Sequence, residues 1–296
     1  MDPLLARVRE TDRRTFLALL TAPDAKRPAL AALATYGLEL ARIPLAVSEP
    51  MAGEIRLTWW SEVARGMRDD DARRDPLAAA LLDAAAAFAL DRGALASMAE
   101  ARVFDLYNDP MPDLEAFEDY AGRIASVPIQ MAAQVLDPSG AGASGQAAGH
   151  AGVYAVAVER LATLARDRAS GRCFAPPDLL MRAWLSPGDL ARPDLATADP
   201  GLADCLVGEW LLFAERYRTL ALADCAALPR TLAPAFAGPL ASVATQRAIE
   251  AAGRDILDRI VRPSPLAEQW ALMRATSRFG GGLLGRLRQR VVGSPG

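Results

Sequence analysis

Ala165-Arg166-Asp167-Arg168-Ala169-Ser170-Gly171-Arg172-Cys173-Phe174-Ala175-Pro176-Pro177-Asp178-Leu179-Leu180 reads as one event in a helical chain. A helix ends with an acid in its last turns and a glycine breaks it. An arginine and an aromatic follow, and a proline at a favoured first position starts the next helix. About a hundred residues upstream stands another unusual stretch, Leu57-Thr58-Trp59-Trp60-Ser61-Glu62-Val63-Ala64-Arg65-Gly66. Adjacent tryptophans point to different parts of a helix surface, so both are buried only where the helix is packed on two sides. A central core helix accounts for the pair more readily than a ligand contact does.

Outward from these stretches the chain is a succession of helical patterns divided by Pro, Gly and Asp. The periodicity predicts helices over 4–20, 27–47, 50–67, 76–90 and 95–107, with Pro44 bending or ending the second. Further helices are expected over 114–136 with Pro128 inside, 146–166, 177–184, 200–226, 239–261 and 265–278, and 137–145 reads as a Gly/Ser loop. There is no internal repeat, no dividing linker and no alternating β-branched run, so the expectation is an all-α fold with one domain over 1–280. Residues 281–296 form a basic, Gly-containing tail expected to lack fixed structure, whose Arg286, Arg288 and Arg290 suit a solvated tail better than contact with anionic lipid.

Composition narrows the function classes. The 296 residues are 52% hydrophobic and 23% charged, which excludes a disordered or low-complexity chain. A net charge of -3 leaves no excess of cations to release counterions from nucleic acid, so no nucleic-acid partner is expected. Cys173, Cys205 and Cys225 are too few and too scattered for a disulfide framework or a zinc site and suit a reducing cytoplasm. His150, the single histidine, rules out a multi-histidine metal site and reads as structural. The most apolar stretch, 77–90, is interrupted by Asp83 and is too short to span a bilayer. The expected location is cytoplasmic, at most peripheral to the inner membrane.

The tryptophan stretch and the glycine-break stretch, in this order and spacing, resemble the squalene/phytoene synthase family. The tryptophan stretch is similar to that family's Trp-Arg-Glu-Glu-type helix. The glycine-break stretch is similar to the end of its second aspartate-rich motif, running into Gly-Arg-x-Tyr-Leu-Pro. Phe117-Glu118-Asp119-Tyr120-Ala121-Gly122-Arg123-Ile124-Ala125 resembles the family's Tyr-containing helix, and Asp12-Arg13-Arg14-Thr15-Phe16-Leu17 its opening helix. The resemblance implies an isoprenoid-synthase-like helical bundle around a central cavity. It also implies head-to-head condensation of two prenyl diphosphates. That chemistry needs Mg²⁺, held by carboxylates at i and i+4 on one helix face, to neutralise the departing diphosphate.

Here the sequence departs from the family pattern. The resemblance places Ala41 and Arg42 on the paired aspartates of the first motif and Leu45 on the third, within Tyr36-Gly37-Leu38-Glu39-Leu40-Ala41-Arg42-Ile43-Pro44-Leu45. Asp167 keeps one position of the second motif, but its partner one turn earlier is Thr163. Glu39 lies three residues before Arg42, a spacing that suits a surface ion pair better than a metal ligand. Asp105 and Asp109 have the right spacing, but Asn108 and Pro110 mark that site as a helix end.

The sequence most resembles the branch of the family that lacks the aspartate motifs, to which the complex I assembly factors of mitochondria belong. That resemblance implies a catalytically silent protein acting in respiratory complex I assembly. Its partners would be complex I subunits or assembly proteins, or an isoprenoid or quinone-like lipid, and it would hold no cofactor. The alternative is a prenyl transferase that uses Mg²⁺ with rearranged ligands. No residue is given a catalytic role. The motif and cavity candidates are Tyr36, Glu39, Arg42, Trp59, Trp60, Glu62, Tyr120, Thr163, Asp167, Arg172 and Phe174, with Asp167 the one weak metal candidate.

Overall fold

The computed structural model describes residues 2–279. The expectation for the 281–296 tail lies outside the described residues. Among them there is no strand, and the longer helices are α1 (Pro3–Thr11), α2 (Arg13–Leu19), α3 (Arg27–Ala46), α4 (Pro50–Arg65), α5 (Pro76–Phe88), α6 (Arg92–Ala101) and α7 (Leu114–Ala121). They continue with α8 (Val127–Leu136), α9 (Gly145–Ala162), α10 (Leu164–Ala169), α11 (Pro177–Arg182), α12 (Pro200–Ala227), α13 (Ala233–Leu240), α14 (Val243–Ala252) and α15 (Pro265–Thr276).

Several expected helices are broken, each for a local reason. The helix expected over 4–20 is two, because Asp12 leaves helical geometry (φ -138°) and its carboxylate accepts from the Thr15 N–H at 3.0 Å. The helix expected over 95–107 ends at Ala101 and tightens to a 3-10 turn over Arg102–Leu106. The one expected over 114–136 is interrupted by a π turn at Gly122–Ser126, which brings Pro128 into the first turn of α8, where a missing N–H costs nothing. Over 146–166 the chain pauses at Thr163 between α9 and α10. The expected 137–145 loop holds a helical turn, Pro138–Ala141, capped by the Asp137 carboxylate. The expected 239–261 helix is α13, which already contains Pro239, followed by α14.

Packing assembles these pieces around two main apolar clusters. α3 turns Leu30, Leu33, Tyr36, Leu40 and Ile43 inward at three- and four-residue spacing, against α1, α4 and α5. Trp60 joins that cluster with its ring 5.4 Å from Tyr36, and Trp59 meets Trp60 edge-on at 4.8 Å. The other cluster is built on the contact of α9 with α12, with Phe117, Tyr154 and Trp210 fully buried. Complete burial of one such large side chain contributes about 2–3 kcal/mol. At Gly152 the π turn comes so close to α9 that an added Cβ would lie 2.6 Å from the Ser126 backbone nitrogen. α3 is the one described helix long and apolar enough to cross a membrane, and it serves here as a core helix.

Candidate functional site

The second motif folds as its sequence anticipates. α10 ends in a Schellman turn. Gly171 takes a left-handed φ of +72°, its N–H donates to the Arg168 carbonyl at 3.0 Å, and the Arg172 N–H donates to the Asp167 carbonyl at 2.9 Å. The break at Thr163, whose hydroxyl donates to the Glu159 carbonyl at 3.0 Å, offsets α10 from α9. Asp167 thereby turns inward and is 2% exposed.

What faces Asp167 is a cation. Arg160, on the last turn of α9 and 8% exposed, places Nη1 3.6 Å from the Asp167 carboxylate. Its Nη2 lies 3.3 Å from the Asp105 Oδ1 and donates to the Tyr120 hydroxyl oxygen. The Tyr120 hydroxyl donates in turn to Asp105 at 2.7 Å, and Arg102 donates to the other Asp105 oxygen at 2.8 Å. The Phe174 ring lies 3.5 Å under the Arg160 guanidinium, a cation–π contact in a desolvated place. Arg166 reaches Asp167 from the rim at 3.4 Å, and Arg172 donates to the Asp105 backbone carbonyl at 3.3 Å. Among the described residues no buried side-chain nitrogen or oxygen lacks a partner.

The electrostatics follow from the pairing. Burial alone would raise the Asp105 carboxyl, but Arg102 and Arg160 outweigh it and hold the group below the usual carboxylate range. Burial, reinforced by the Asp105 charge, pushes the Tyr120 phenol up to about 12. Burial disfavours the Arg160 cation, yet Tyr120, Asp105 and Asp167 more than compensate, so it stays protonated.

The structure thus brings together Tyr120, Thr163, Asp167, Arg172 and Phe174. It does not bring the remaining candidates to them. Tyr36 donates to the Leu95 carbonyl at 2.9 Å and, with Trp59 and Trp60, belongs to the other apolar cluster. Glu39 sits between Arg42, at 2.7 Å, and Arg7, the surface pairing that its spacing anticipates. Arg42 is exposed, so it does not plug a cavity from within. Glu62 pairs with Arg68 at the end of α4.

Sequence reasoning misses Arg160 and Arg102 and passes over Asp105. The signals were faint: a lone arginine in the otherwise apolar 156–162 stretch apart from Glu159, and an Arg/Asp pair three residues apart at 102 and 105. Asp105 was set aside as a helix end, which it is, but the tight turn there directs it inward.

A magnesium cluster needs carboxylates whose charge remains for the metal. Among the described residues the buried carboxylates are Asp105 and Asp167, and a guanidinium stands between them. The positions that the resemblance aligns with the first motif hold Ala41, Arg42 and Leu45. Among the described residues no three His, Cys, Asp or Glu side chains converge on one point. This donor set does not fit the ion.

A strand-free bundle in which the Gly171 turn and the Tyr120 helix flank one buried polar centre is an isoprenoid-synthase fold. The chain belongs to the squalene/phytoene synthase family, whose model matches residues 8–267. Among solved structures it is similar to a dehydrosqualene synthase, with a TM-score of 0.72 and 14% identity over 93% of this chain and 94% of that one. It is also similar to squalene synthase HpnC from Alicyclobacillus acidocaldarius, with a TM-score of 0.68 and 17% identity over 84% of this chain and 93% of that one. At these identities the likeness shows the fold alone. Among curated proteins it resembles NADH dehydrogenase (ubiquinone) complex I, assembly factor 6, of Bos taurus, 26% identical over 185 residues. That match spans 62% of this chain and 55% of the relative, so the chain spans about half the length of the curated relative it matches.

Proposed function

We propose that the chain is a catalytically silent member of its family that acts in the assembly of respiratory complex I. It would do so through contacts with complex I subunits or assembly proteins, or with an isoprenoid or quinone-like lipid, in the cytoplasm or at the inner-membrane surface. The observation that carries this reading is the Arg160 guanidinium set between Asp105 and Asp167, where diphosphate chemistry calls for a metal. The named function of the bovine relative supports the choice of assembly role.

On this reading the central residues have structural work. Arg160 neutralises two acids, Tyr120 and Phe174 cover it, and the Gly171 turn fixes Asp167. Deleting the gene is expected to lower NADH oxidation by membranes and leave carotenoid, hopanoid and quinone content unchanged. Loss of an isoprenoid with NADH oxidation intact would refute the proposal.

A second reading, a prenyl transferase using Mg²⁺ with rearranged ligands, draws support from the inward-facing Asp167 with Arg172 and Phe174 in the family's order. It predicts diphosphate release from farnesyl or geranylgeranyl diphosphate with Mg²⁺ or Mn²⁺. The silent reading predicts none.

A further inference from the structure

A groove of about 290 Å³ lies where α12, α13, α14 and α15 meet, on elements other than those that carry the buried acids. Its lining is apolar apart from four arginines, Arg218, Arg247, Arg274 and Arg278, and no acid lines it. Arg218 is neutralised by Glu215 at 2.5 Å. Among the described residues the salt bridges engage none of the other three, and all three are exposed. Residues 280–296 contain no Asp or Glu that could pair with them. Three cations without a salt bridge among the described residues thus surround one hollow of a chain whose net charge is -3.

The flank of the groove is apolar and open to solvent. Trp270 is 64% exposed and Leu266 72% exposed. Leu266, Trp270 and Arg274 follow one another at four-residue steps, so they share one face of α15. A tryptophan belongs at the level of lipid headgroups, with arginines beside it on lipid phosphates and their stems along the apolar layer. Three arginines around a hollow of about 290 Å³ complement the negative charge of a phosphate headgroup, and the exposed Trp270 and Leu266 beside them complement the start of its acyl chains.

We propose that this groove seats the phosphate headgroup of an anionic phospholipid at a bilayer surface. Arg247, Arg274 and Arg278 bind the phosphate, and Trp270 and Leu266 enter the headgroup layer. The site goes beyond the assembly reading and does not depend on it.

The test is co-sedimentation of the full chain with vesicles of phosphatidylcholine alone, or of phosphatidylcholine with phosphatidylglycerol. Binding is expected only to the anionic vesicles and should weaken as salt is raised. Arg247→Gln, Arg274→Gln and Arg278→Gln should each weaken it about fivefold, and the triple variant about a hundredfold. Trp270→Ala should weaken it as well. These side chains are exposed, so an unchanged circular dichroism spectrum is the control for folding. Equal binding to neutral vesicles, or retention by the triple variant, would overturn the proposal. So would loss of binding on substituting Arg286, Arg288 and Arg290 while the groove variant still binds, since that assigns the contact to the tail. Complete displacement from vesicles by inorganic phosphate would make the groove a free-anion site and overturn it too.

Discussion

Replacing Arg160 with leucine removes the one cation shared by the two buried acids. Asp105 keeps Arg102 at 2.8 Å, so its loss is partial. Asp167 keeps only the rim contact from Arg166 at 3.4 Å and the Thr163 hydroxyl at 3.5 Å. The cation–π contact with Phe174 goes as well. Breaking a buried pair by removing one partner costs about 3–5 kcal/mol, most of it the stranded charge. Because Asp105 stays paired, the lower end applies, about 3 kcal/mol. For a chain of 296 residues that lowers the melting temperature by about 5 °C. Urea unfolding followed by far-ultraviolet circular dichroism gives the free energy directly. The double variant Arg160→Leu with Asp167→Leu should be less destabilised than the single one, because it removes the stranded charge with its partner. A loss below about 1 kcal/mol, or a gain, would refute the reasoning. A gain in particular would mean that the arginine is held under strain for a ligand rather than for the fold.

Three other outcomes are expected. Gly152→Ala should cost about 1–3 kcal/mol, because the new methyl meets the Ser126 backbone as well as its hydroxyl, and the backbone cannot swing away; an unchanged melting temperature would mean that the two segments part easily. Trp184→Gly should stabilise by about 0.5–1 kcal/mol, since Trp184 has a left-handed φ of +59° and is 84% exposed, with little packing to lose; a lower urea midpoint would contradict this. The carboxyl of Asp105 is held low in the folded state, so its stabilisation is present above the unfolded value of about 3.9 and is lost as pH falls through the folded value. The stability gap between the parent and Asp105→Asn should therefore narrow below about pH 4, and a gap constant from about pH 7 to 3 would exclude that origin.

The fold was legible because its signals are local and redundant. The glycine at 171 forms the turn its position promises, and the prolines at 50, 76, 177, 200 and 265 each open a helix. Helix breaks were less legible. Asp12 and Thr163 are tolerated inside helices; Asp12 becomes a stop by capping the Thr15 N–H, and Thr163 by leaving helical geometry (φ -105°, ψ 10°). The π turn at Gly122–Ser126 has no sequence signal beyond one glycine; the close approach of Gly152 is a tertiary fact. In the polar centre the motif residues were readable by position, whereas Arg160 lies on α9 and Arg102 and Asp105 on the turn after α6. Their meeting depends on how α9 crosses that turn, which no spacing along the chain encodes.

The same geometry explains how the family's scaffold persists with altered motifs. Paired carboxylates facing one another repel, and a fold that carries them is stabilised by the metal that neutralises them. In this chain the resemblance aligns Ala41 and Arg42 with the first pair of positions and Asp167 with an acid of the second motif, and Asp167 has a guanidinium beside it. The counter-charge is therefore covalently part of α9 and independent of any ion's concentration. Arg160 also fills space, because Tyr120 and Phe174 close over it, so its stabilisation and its occupation of the centre are one arrangement. A fold stabilised in this way gains nothing from opening its middle. On the proposed reading, contact with other molecules falls instead to the outer helices, where Trp184 and Trp270 stand in solvent and where, among the described residues, Arg247, Arg274 and Arg278 form no salt bridge. If Arg160 proves dispensable while the groove arginines also prove inert, the division of labour between a closed centre and a working surface fails on both sides.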